Sequence, residues 1–362
     1  MNKHSAGDLK QMQSLPLDAK IRMSQRRIEE WYDHWDGMVY IAFSGGIDSL
    51  VLKHLVETTP GVHNVPSLFV NTGLEYPELQ RFAMSQPNVT TVRPDIRFDD
   101  VLKRYGYPVI SKTVSDMVCG ARRSLTKGEY SARLRLLGVS PDEYGGLSVN
   151  DKYNYEKIAA GSKFERKKYR YLLDANFDSS AECCYWMKKK PSADYAKKTG
   201  RKPFIGTMAE ESALRETSWL KNGCNAFDLD KPASRPLSFW TKQDILHYIK
   251  RFNLEYCSVY GDIRVKVLIE EKNGQTGINN QEQDEDGTIL ETTGCDRTGC
   301  IFCMFGCHLE KEPNRFQRLK ETHPRQYEYC IGGGEMVDGK WRPSKEGLGL
   351  GKVLDYIGCK YE

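Results

Sequence analysis

The chain has 362 residues, 39% of them hydrophobic, which suffices for one large α/β domain with additions or for two domains with sizeable cores. No stretch approaches the roughly 18 consecutive apolar residues that a membrane-spanning helix needs. Residues 1–20 are polar and lack an apolar signal-peptide core, and the formal net charge is only +4. These features exclude a membrane protein and predict a cytoplasmic one without a membrane partner.

The first part of the chain alternates helical and extended patterns. We predict helices and apolar strands in the order helix 17–35, strand 38–43, helix 48–57, strand 65–70, helix 75–85 and strand 88–92. Strands that alternate with helices imply a parallel sheet with right-handed crossovers. The fold class expected is therefore α/β, with a twisted, Rossmann-like parallel sheet flanked by helices.

Beyond residue 109 the pattern becomes helical and basic up to about residue 200, and a short strand is predicted at 204–206. An amphipathic helix follows at 242–252, where Thr241 is a suitable N-cap. Alternating residues at 263–291 predict an inserted β-hairpin with a mobile tip at 281–286. The Gly-rich stretch 332–362 is expected to pack as a tail.

These patterns predict four regions. They are an N-terminal helical extension (1–36), a nucleotide-binding domain (37–260) with a helical basic insertion (109–200), an inserted hairpin (261–294) and a cysteine-rich C-terminal region (295–362).

The positive charge is concentrated in one segment. Residues 163–202 contain 12 basic and 5 acidic residues, in runs such as Lys188-Lys189-Lys190. Such a concentration attracts phosphate, sulfate or nucleic acid. A lysine-rich solvated helix face explains any single run equally well. A nucleic acid acceptor is therefore one of two interpretations of this segment.

The segment Ser44-Gly45-Gly46-Ile47-Asp48-Ser49 lies between a predicted strand and a predicted helix. Glycines let backbone N–H groups approach an anion closely, and the start of the helix is electropositive. Ser44 and Ser49 add hydroxyl donors, and Asp48 can hold Mg²⁺ or fix the loop. The pattern favours a phosphate-binding loop over an ordinary capped turn.

This loop resembles that of the PP-loop ATP pyrophosphatases and PAPS/APS reductases. It is not a Walker A loop, because no Gly-Lys-Ser/Thr ending follows it. Three further segments, 69–78, 206–215 and 235–245, resemble segments of the family and follow each other in the family's order. In the second of them, Met208 stands where the family usually has Arg. The resemblance implies an adenine nucleotide alpha hydrolase-like fold that binds ATP or PAPS/APS with Mg²⁺. The residues it implies for the nucleotide are Ser44, Gly45, Gly46, Asp48, Ser49, Thr72, Gly73, Glu75, Gly206, Ser212 and Arg215.

The 11 cysteines are clustered, which favours metal or cluster ligation over disulfides in a cytosolic chain. Cys183-Cys184 and the Cys300-Xaa-Xaa-Cys303 pair are separated by 115 residues. They resemble the 4Fe–4S signature of iron–sulfur adenylyl-sulfate reductases, and four thiolates are what such a cluster needs. The local set of Cys295, Cys300, Cys303 and Cys307 is the alternative, for a cluster or zinc. This closely spaced set is similar to that of DNA phosphorothioation sulfurtransferases.

The remaining cysteines divide into two groups. Cys307, beside His308, and Cys359 near the C-terminus are candidates for sulfur or redox chemistry. Core thiols are predicted at Cys119, Cys224, Cys257 and Cys330. The chain lacks the Glu-Cys-Gly-Xaa-His motif that carries the nucleophile of sulfonucleotide reductases.

The leading hypothesis is an adenylating sulfurtransferase with a 4Fe–4S cluster, in which Asp48, Cys307 and Cys359 take part in catalysis. The acceptor is a nucleic acid or a small molecule, and a cysteine desulfurase or thioredoxin supplies sulfur or electrons. Two alternatives remain open: a thioredoxin-dependent PAPS or APS reductase, and a nucleotide-sensing regulator without turnover. An oligomer is compatible with each.

Overall fold

The computed structural model describes residues 3–127, 166–266, 268–272, 275–279 and 288–362. Part of the basic insertion (128–165) and the predicted hairpin tip (281–286) therefore lie outside the described residues. Within the described ranges, no helix has both the length and the apolar character needed to cross a membrane.

The helices begin and end close to the predicted limits. In chain order they are α1 (Ala6–Gln13), α2 (Leu17–His34), α3 (Ile47–Thr58), α4 (Pro77–Ser85), α5 (Phe98–Tyr105), α6 (Lys112–Lys127), α7 (Glu182–Cys184), α8 (Lys190–Thr199), α9 (Ala213–Asn222), α10 (Lys242–Arg251), α11 (Arg315–Thr322), α12 (Pro324–Ile331) and α13 (Leu350–Tyr356). The predicted helices at 17–35, 48–57, 75–85 and 242–252 correspond to α2, α3, α4 and α10, and are confirmed.

The strands are short. They are β1 (Val39–Ala42), β2 (Ser67–Val70), β3 (Val89–Val92), β4 (Lys202–Ile205), β5 (Asn225–Ala226), β6 (Ala233–Ser234), β7 (Ile263–Val265), β8 (Leu268–Lys272), β9 (Gln275–Asn279), β10 (Leu290–Thr292), β11 (Glu335–Val337) and β12 (Lys340–Arg342). β7 pairs antiparallel with β10, and β8 pairs antiparallel with β9, in the segment where a hairpin was predicted.

The described chain forms two compact units, each made from two stretches of sequence. The first, the sheet unit, contains residues 1–93 and 191–299. The second, the cysteine unit, contains residues 94–190 and 300–362. The cysteine unit thus joins part of the predicted basic insertion to the predicted C-terminal region.

The sheet unit is built on six strands in the order β3-β2-β1-β4-β6-β5. All neighbouring pairs are parallel except β5 and β6. The central strand β1 is buried because helices flank the sheet, which explains its apolar sequence. This arrangement confirms the predicted α/β fold with a mostly parallel sheet.

Two helices of the sheet unit show how the sequence fixes the fold locally. Thr241 and Asp244 form a capping box at the start of α10. Ser24 on α2 accepts a hydrogen bond from the buried Trp240 indole at 2.9 Å and donates to the carbonyl oxygen of Pro236. Trp240 is therefore a core residue, and its polar N–H is satisfied.

A half-buried arginine ties a loop of the cysteine unit to α6. The guanidinium of Arg122 on α6 donates to the carbonyl oxygens of Leu172, Leu173, Ala175 and Phe177. Its fixed fork of donors closes the loop at 172–177 in one conformation. The chain then enters α7, and a π-helical turn at Tyr185–Lys189 joins α7 to α8.

Candidate functional site

The phosphate loop predicted at 44–49 connects β1 to α3 in the sheet unit. The Ser44 N–H donates to Ser49 Oγ at 3.1 Å, and Ser49 Oγ donates to the carbonyl oxygen of Gly46 at 2.9 Å. The two serines therefore hold the loop closed from within. Gly46 occupies the N-cap position, so the first N–H groups of α3, which have no partner within the helix, lie in the loop.

Two N–H groups of this loop make only long hydrogen bonds. The Gly46 N–H donates to Ser44 Oγ at 3.4 Å, and the Ile47 N–H donates to the Tyr260 hydroxyl at 3.3 Å. Typical N–H···O distances are about 2.9–3.0 Å. A phosphate oxygen carries charge and would be a stronger acceptor than either neutral hydroxyl.

Tyr260 and Thr298, which the sequence analysis did not identify, lie directly over the loop. Their hydroxyl oxygens are 2.7 Å apart. A Cβ at Gly46 would come within 3.0 Å of both, so the close approach requires glycine there. The Arg-Thr step at 297–298 before the cysteine pair is the signal that could have drawn attention to Thr298.

The ends of the neighbouring strands contribute the other predicted nucleotide residues. After β2, the Thr72 hydroxyl donates to the Glu75 carboxylate at 2.7 Å, and the Thr72 N–H donates to the same group at 3.2 Å. Gly73, between them, has a positive φ of 73°. Gly206, after β4, packs so tightly on α3 that a Cβ would lie 3.0 Å from the Asp48 carbonyl oxygen.

A cluster of charged side chains surrounds Asp48. Burial, reinforced by the nearby Glu211 carboxylate, raises the pKa of Asp48 to about 6, although Arg297, Arg215 and Lys242 oppose the shift. Arg215 and Arg297 both form ion pairs with Glu211. The cluster therefore combines two carboxylates with three cations, which suits a site for phosphate and a divalent cation.

The segment after β4 positions one of these cations. Ser212 caps α9 through its side chain, which accepts from the Arg215 N–H at 3.4 Å. The pKa of the Arg235 guanidinium is lowered by burial and by the neighbouring Arg215. Two adjacent guanidinium groups repel each other, and a bound anion would relieve this repulsion. Met208, which stands where an Arg was expected, is buried.

The four favoured cysteines all belong to the cysteine unit, although 115 residues separate the two pairs. Cys183 and Cys184 share a side-chain hydrogen bond, which raises the pKa of Cys183 and lowers that of Cys184 to about 6. Cys300 and Cys303 act on Cys183 electrostatically as well. The fold thus brings the predicted ligand pairs within electrostatic range of each other.

Among the described residues, no group of three or more His, Cys, Asp or Glu side chains is arranged to hold a single metal ion. The donor set nevertheless has the chemistry of a cluster site, because ligating thiols must be deprotonated. After the bond from Cys183, Lys112 is the principal group that stabilises the Cys184 thiolate, followed by Lys188. Cys295, of the alternative set, belongs to the sheet unit.

A cavity of about 400 Å³ opens beside Cys184. Its lining includes Lys112, Asp116, Glu182, Tyr185 and Lys189. The π-helical turn supplies two of these side chains, and single π-turns are frequent at functional sites.

Cys307 and Cys359 form a second pair of thiols in the cysteine unit. Both side chains are buried, and a hydrogen bond between them raises the pKa of Cys307 and lowers that of Cys359. Burial lowers the pKa of the adjacent His308, and Lys168 adds to the effect. A neutral imidazole does not activate Cys307 as an imidazolium would. The predicted core thiols Cys224, Cys257 and Cys330 are buried, whereas Cys119 is partly exposed.

The C-terminal segment that carries Cys359 is held in place. Asn314 Nδ2 donates to the carbonyl oxygen of Lys360 at 2.6 Å, and the Tyr327 hydroxyl donates to that of Tyr361 at 3.0 Å. The Cys359 N–H donates to the Leu354 carbonyl oxygen. The segment is therefore packed against its own unit over its last residues.

Several residues of the basic segment have structural roles. Arg201 donates to the carbonyl oxygens of Gly37 and Val39, and Lys202 lies over the Trp35 ring. Lys190 pairs with Asp95 at 2.6 Å. These contacts fit a role in folding, and they give the predicted nucleic acid acceptor no support.

The phosphate loop lies at a topological switch point of the sheet. The chain proceeds from β1 to β2 and β3 on one side, whereas β4 pairs with β1 on the other side. Ligands of open α/β sheets bind outside the carboxyl ends of strands at such points. The loop therefore lies where an α/β protein of this topology would bind a ligand.

Comparison with known protein families finds a similarity over part of the chain. Residues 144–305 match the phosphoadenosine phosphosulfate reductase domain family, and this match confirms the resemblance drawn from the motifs. Over this range, which is less than half of the chain, the protein is therefore similar to the PAPS reductase family. The matched range includes both cysteine pairs, whereas the phosphate loop lies N-terminal to it.

No curated protein matches the chain. Among solved structures, phosphoadenylyl-sulfate (PAPS) reductase from Candida auris, in a phosphate complex, is similar at 13% sequence identity. The match covers 68% of this chain and 91% of that one, with a TM-score of 0.34.

Proposed function

We propose that the protein is a PP-loop enzyme that binds an adenine nucleotide and transfers sulfur to an acceptor activated by adenylation. The observation that carries the proposal is the loop at 44–49 at the switch point, where two N–H groups make only long hydrogen bonds and three cations surround Asp48. The family match supports an enzyme that acts on sulfur.

ATP is the proposed nucleotide, and PAPS or APS is the alternative. The Gly46 N–H would bind a phosphate oxygen, and Arg215 would neutralise the phosphate charge. Asp48 would hold Mg²⁺ together with the phosphates. An acceptor oxygen attacks the α-phosphorus, the bond to the β,γ-phosphates breaks, and pyrophosphate leaves.

The four thiols Cys183, Cys184, Cys300 and Cys303 are the proposed ligands of a 4Fe–4S cluster. Their mutual electrostatic coupling and the lysines beside Cys184 fit thiolate ligands. When bound, such a cluster supplies one-electron redox capacity at this site. Lys112 would keep Cys184 ionised before assembly.

Cys307 and Cys359 are the proposed sulfur-handling pair. A persulfide on one thiol, loaded by a donor of the cysteine desulfurase class, attacks the adenylated carbon of the acceptor and AMP leaves. The second thiol then attacks the resulting disulfide. This step releases the acceptor as a thiol and leaves a Cys307–Cys359 disulfide, which a thioredoxin-class dithiol reduces with two electrons.

The packed C-terminus favours this chemistry over that of a sulfonucleotide reductase. A reductase needs a terminal cysteine that moves to the sulfonucleotide, whereas Cys359 is buried against Cys307 and its neighbours are hydrogen-bonded to α11 and α12. The reductase would release sulfite from PAPS or APS, so product analysis separates the two functions.

The test is to purify the full chain anaerobically and incubate it with ATP, APS or PAPS and candidate acceptors. Sulfur transfer with release of AMP and pyrophosphate from ATP would support the proposal. Sulfite from APS or PAPS that disappears in a Cys359→Ser variant would support the reductase instead. Release of neither AMP nor pyrophosphate with any acceptor would contradict the adenylation step.

A further inference from the structure

We propose that Tyr260 and Thr298 supply a hydroxyl donor to the nucleotide phosphate beside the loop, so that the phosphate contacts both the loop and a second wall. This inference rests on the proposed nucleotide function and adds ligands outside the 44–49 motif. The second wall is defined as residues 258–262 and 293–298.

The second wall is a built structure rather than a loose loop. The Gly294 N–H donates to the Tyr260 carbonyl oxygen, and the Cys295 N–H donates to that of Val259, both at 2.9 Å. The Asp262 N–H donates to Thr293 Oγ1 at 2.8 Å. These bonds hold the two segments of the second wall together and thereby hold Tyr260 against the loop.

The hydroxyl pair has a donor to spare. The Ile47 N–H donates to the Tyr260 oxygen, and one proton lies in the 2.7 Å bond between Tyr260 and Thr298. Two hydroxyls carry two protons, so whichever group donates to the other, one O–H remains for an incoming acceptor. Burial raises the pKa of Tyr260 to about 12, so the phenol keeps its proton at neutral pH.

The electrostatic setting favours an anion as that acceptor. Arg297, which precedes Thr298, pairs with Glu211 and contributes to the cations around Asp48. A phosphate beside the hydroxyl pair would accept from the Gly46 N–H and from the spare hydroxyl, while the Ile47 N–H still donates to Tyr260. Each such bond is shorter and stronger than the long neutral contacts present without it.

The test compares Tyr260→Phe and Thr298→Val with the unmodified chain. Affinities for ATP, APS, PAPS and adenosine are measured by isothermal titration calorimetry. The matched control is Tyr256→Phe, since the Tyr256 hydroxyl also accepts a backbone N–H, that of Ile263 at 3.2 Å. We expect each test variant to bind the phosphate-bearing ligands about 10-fold more weakly, as for a lost bond to a charged group.

Adenosine separates a phosphate contact from a general loss of structure. We expect its affinity to change less than about twofold in all variants, and the control to leave every ligand unchanged. The double variant should lose less than the product of the single effects, because the hydroxyls act as a pair. Thr298→Val keeps the test open if Tyr260→Phe does not fold.

Three results would overturn the inference. Unchanged or tighter ATP binding by the test variants would show that the hydroxyls only cover the loop. Equal weakening for adenosine and ATP would assign them a structural role. If the unmodified chain binds no phosphate-bearing ligand, the proposed function is overturned too. If the unmodified chain binds ATP and the variants bind it with the same affinity, only this inference is overturned.

Discussion

The sheet unit and the cysteine unit assemble their candidate chemistry in different ways. In the sheet unit, the phosphate loop is six consecutive residues, and a strand before it and a helix after it fix its shape. In the cysteine unit, the thiols come from stretches more than 100 residues apart. Backbone donors can be encoded locally, whereas a set of side chains that must converge depends on the whole fold.

The difference also concerns charge. The proposed function of the loop relies on N–H groups and surrounding cations, and thus on the absence of a side chain at Gly46. The cysteine unit offers thiols whose ionisation depends on one another and on lysines. Substitutions in the two units should therefore have separable effects on nucleotide and on iron.

The largest effect is expected from Gly46→Val. The new side chain would collide with the Tyr260 and Thr298 hydroxyls and occupy the phosphate position. We expect ATP affinity to fall by roughly 100-fold or more, as when several phosphate bonds are lost together. Iron content after anaerobic purification should stay unchanged.

The control for this variant is Gly7→Ala on α1, where a Cβ meets only Ser5 Oγ, at 3.5 Å. Calorimetric titration with ATP and a thermal melt of each variant make the measurement. Retained ATP affinity in a folded Gly46→Val variant would remove the loop from the nucleotide site.

The second prediction concerns iron. Single Cys→Ser changes at residues 183, 184, 300 and 303 should each remove most of the iron and sulfide, because the cluster needs all four thiolates. Iron and sulfide analysis and the visible absorption of the cluster measure this loss. ATP affinity should change less than about twofold.

Cys330→Ser is the matched control, since Cys330 is a fully buried thiol of the same unit. Cys295→Ser and Cys307→Ser distinguish the alternative ligand set. If these two variants lose iron and Cys183→Ser does not, the local set holds the metal and the favoured set is wrong.

The third prediction uses the raised pKa of Asp48. The folded state binds a proton at Asp48 more tightly than the unfolded state, whose pKa is near 3.8. The contribution of this residue to stability is therefore full below about pH 4 and is lost as the pH rises through about 6. Relative to the unmodified chain, Asp48→Asn should gain about 2 kcal/mol of unfolding free energy between pH 4 and pH 7.

Denaturant unfolding at a series of pH values gives this difference, and Asp33→Asn, at an exposed position on α2, is the control. A stability difference that does not vary with pH would mean that Asp48 ionises as it does in water. The same variant should weaken Mg²⁺-dependent ATP binding, which tests the proposed role of the carboxylate.

The smallest effect on binding is expected from Cys359→Ser. The change keeps a small polar group beside Cys307, so we expect iron content and ATP affinity to stay within about twofold of the unmodified chain. Sulfur transfer should nevertheless stop after one half-reaction, with an acceptor disulfide bound to Cys307. Mass spectrometry of the trapped protein checks this outcome, and normal multiple turnover would exclude the pair from catalysis.

Much of the sheet unit could be predicted from the sequence. The apolar strand β1, the Gly-Gly step and the helix after it are adjacent in the chain, so their pattern is visible in the sequence. Thr241 and Asp244 likewise mark the start of α10, because they form a local cap. The contribution of Tyr260 and Thr298 could not be predicted, because 37 residues separate them and their meeting depends on the β7–β10 pairing.

The cysteine unit was less accessible to sequence reasoning. Spacing alone left two ligand sets open, since Cys295 and Cys307 flank the second pair as closely as ligands do. Only the fold places Cys307 beside Cys359 and couples Cys183 to Cys300 and Cys303. The boundary between units also falls inside the basic segment, where composition does not change.

The π-helical turn at Tyr185–Lys189 determines the side of the helix on which Lys188 and Lys189 lie. A π-turn accommodates one residue more than an α-turn, and one residue corresponds to about 100° of rotation. Removing a single residue from the turn would restore α-helical winding and swing Lys188 and Lys189 to another face of the helix. One additional residue in the turn thus determines whether the lysine side chains face the thiols. The number of lysines in the segment does not.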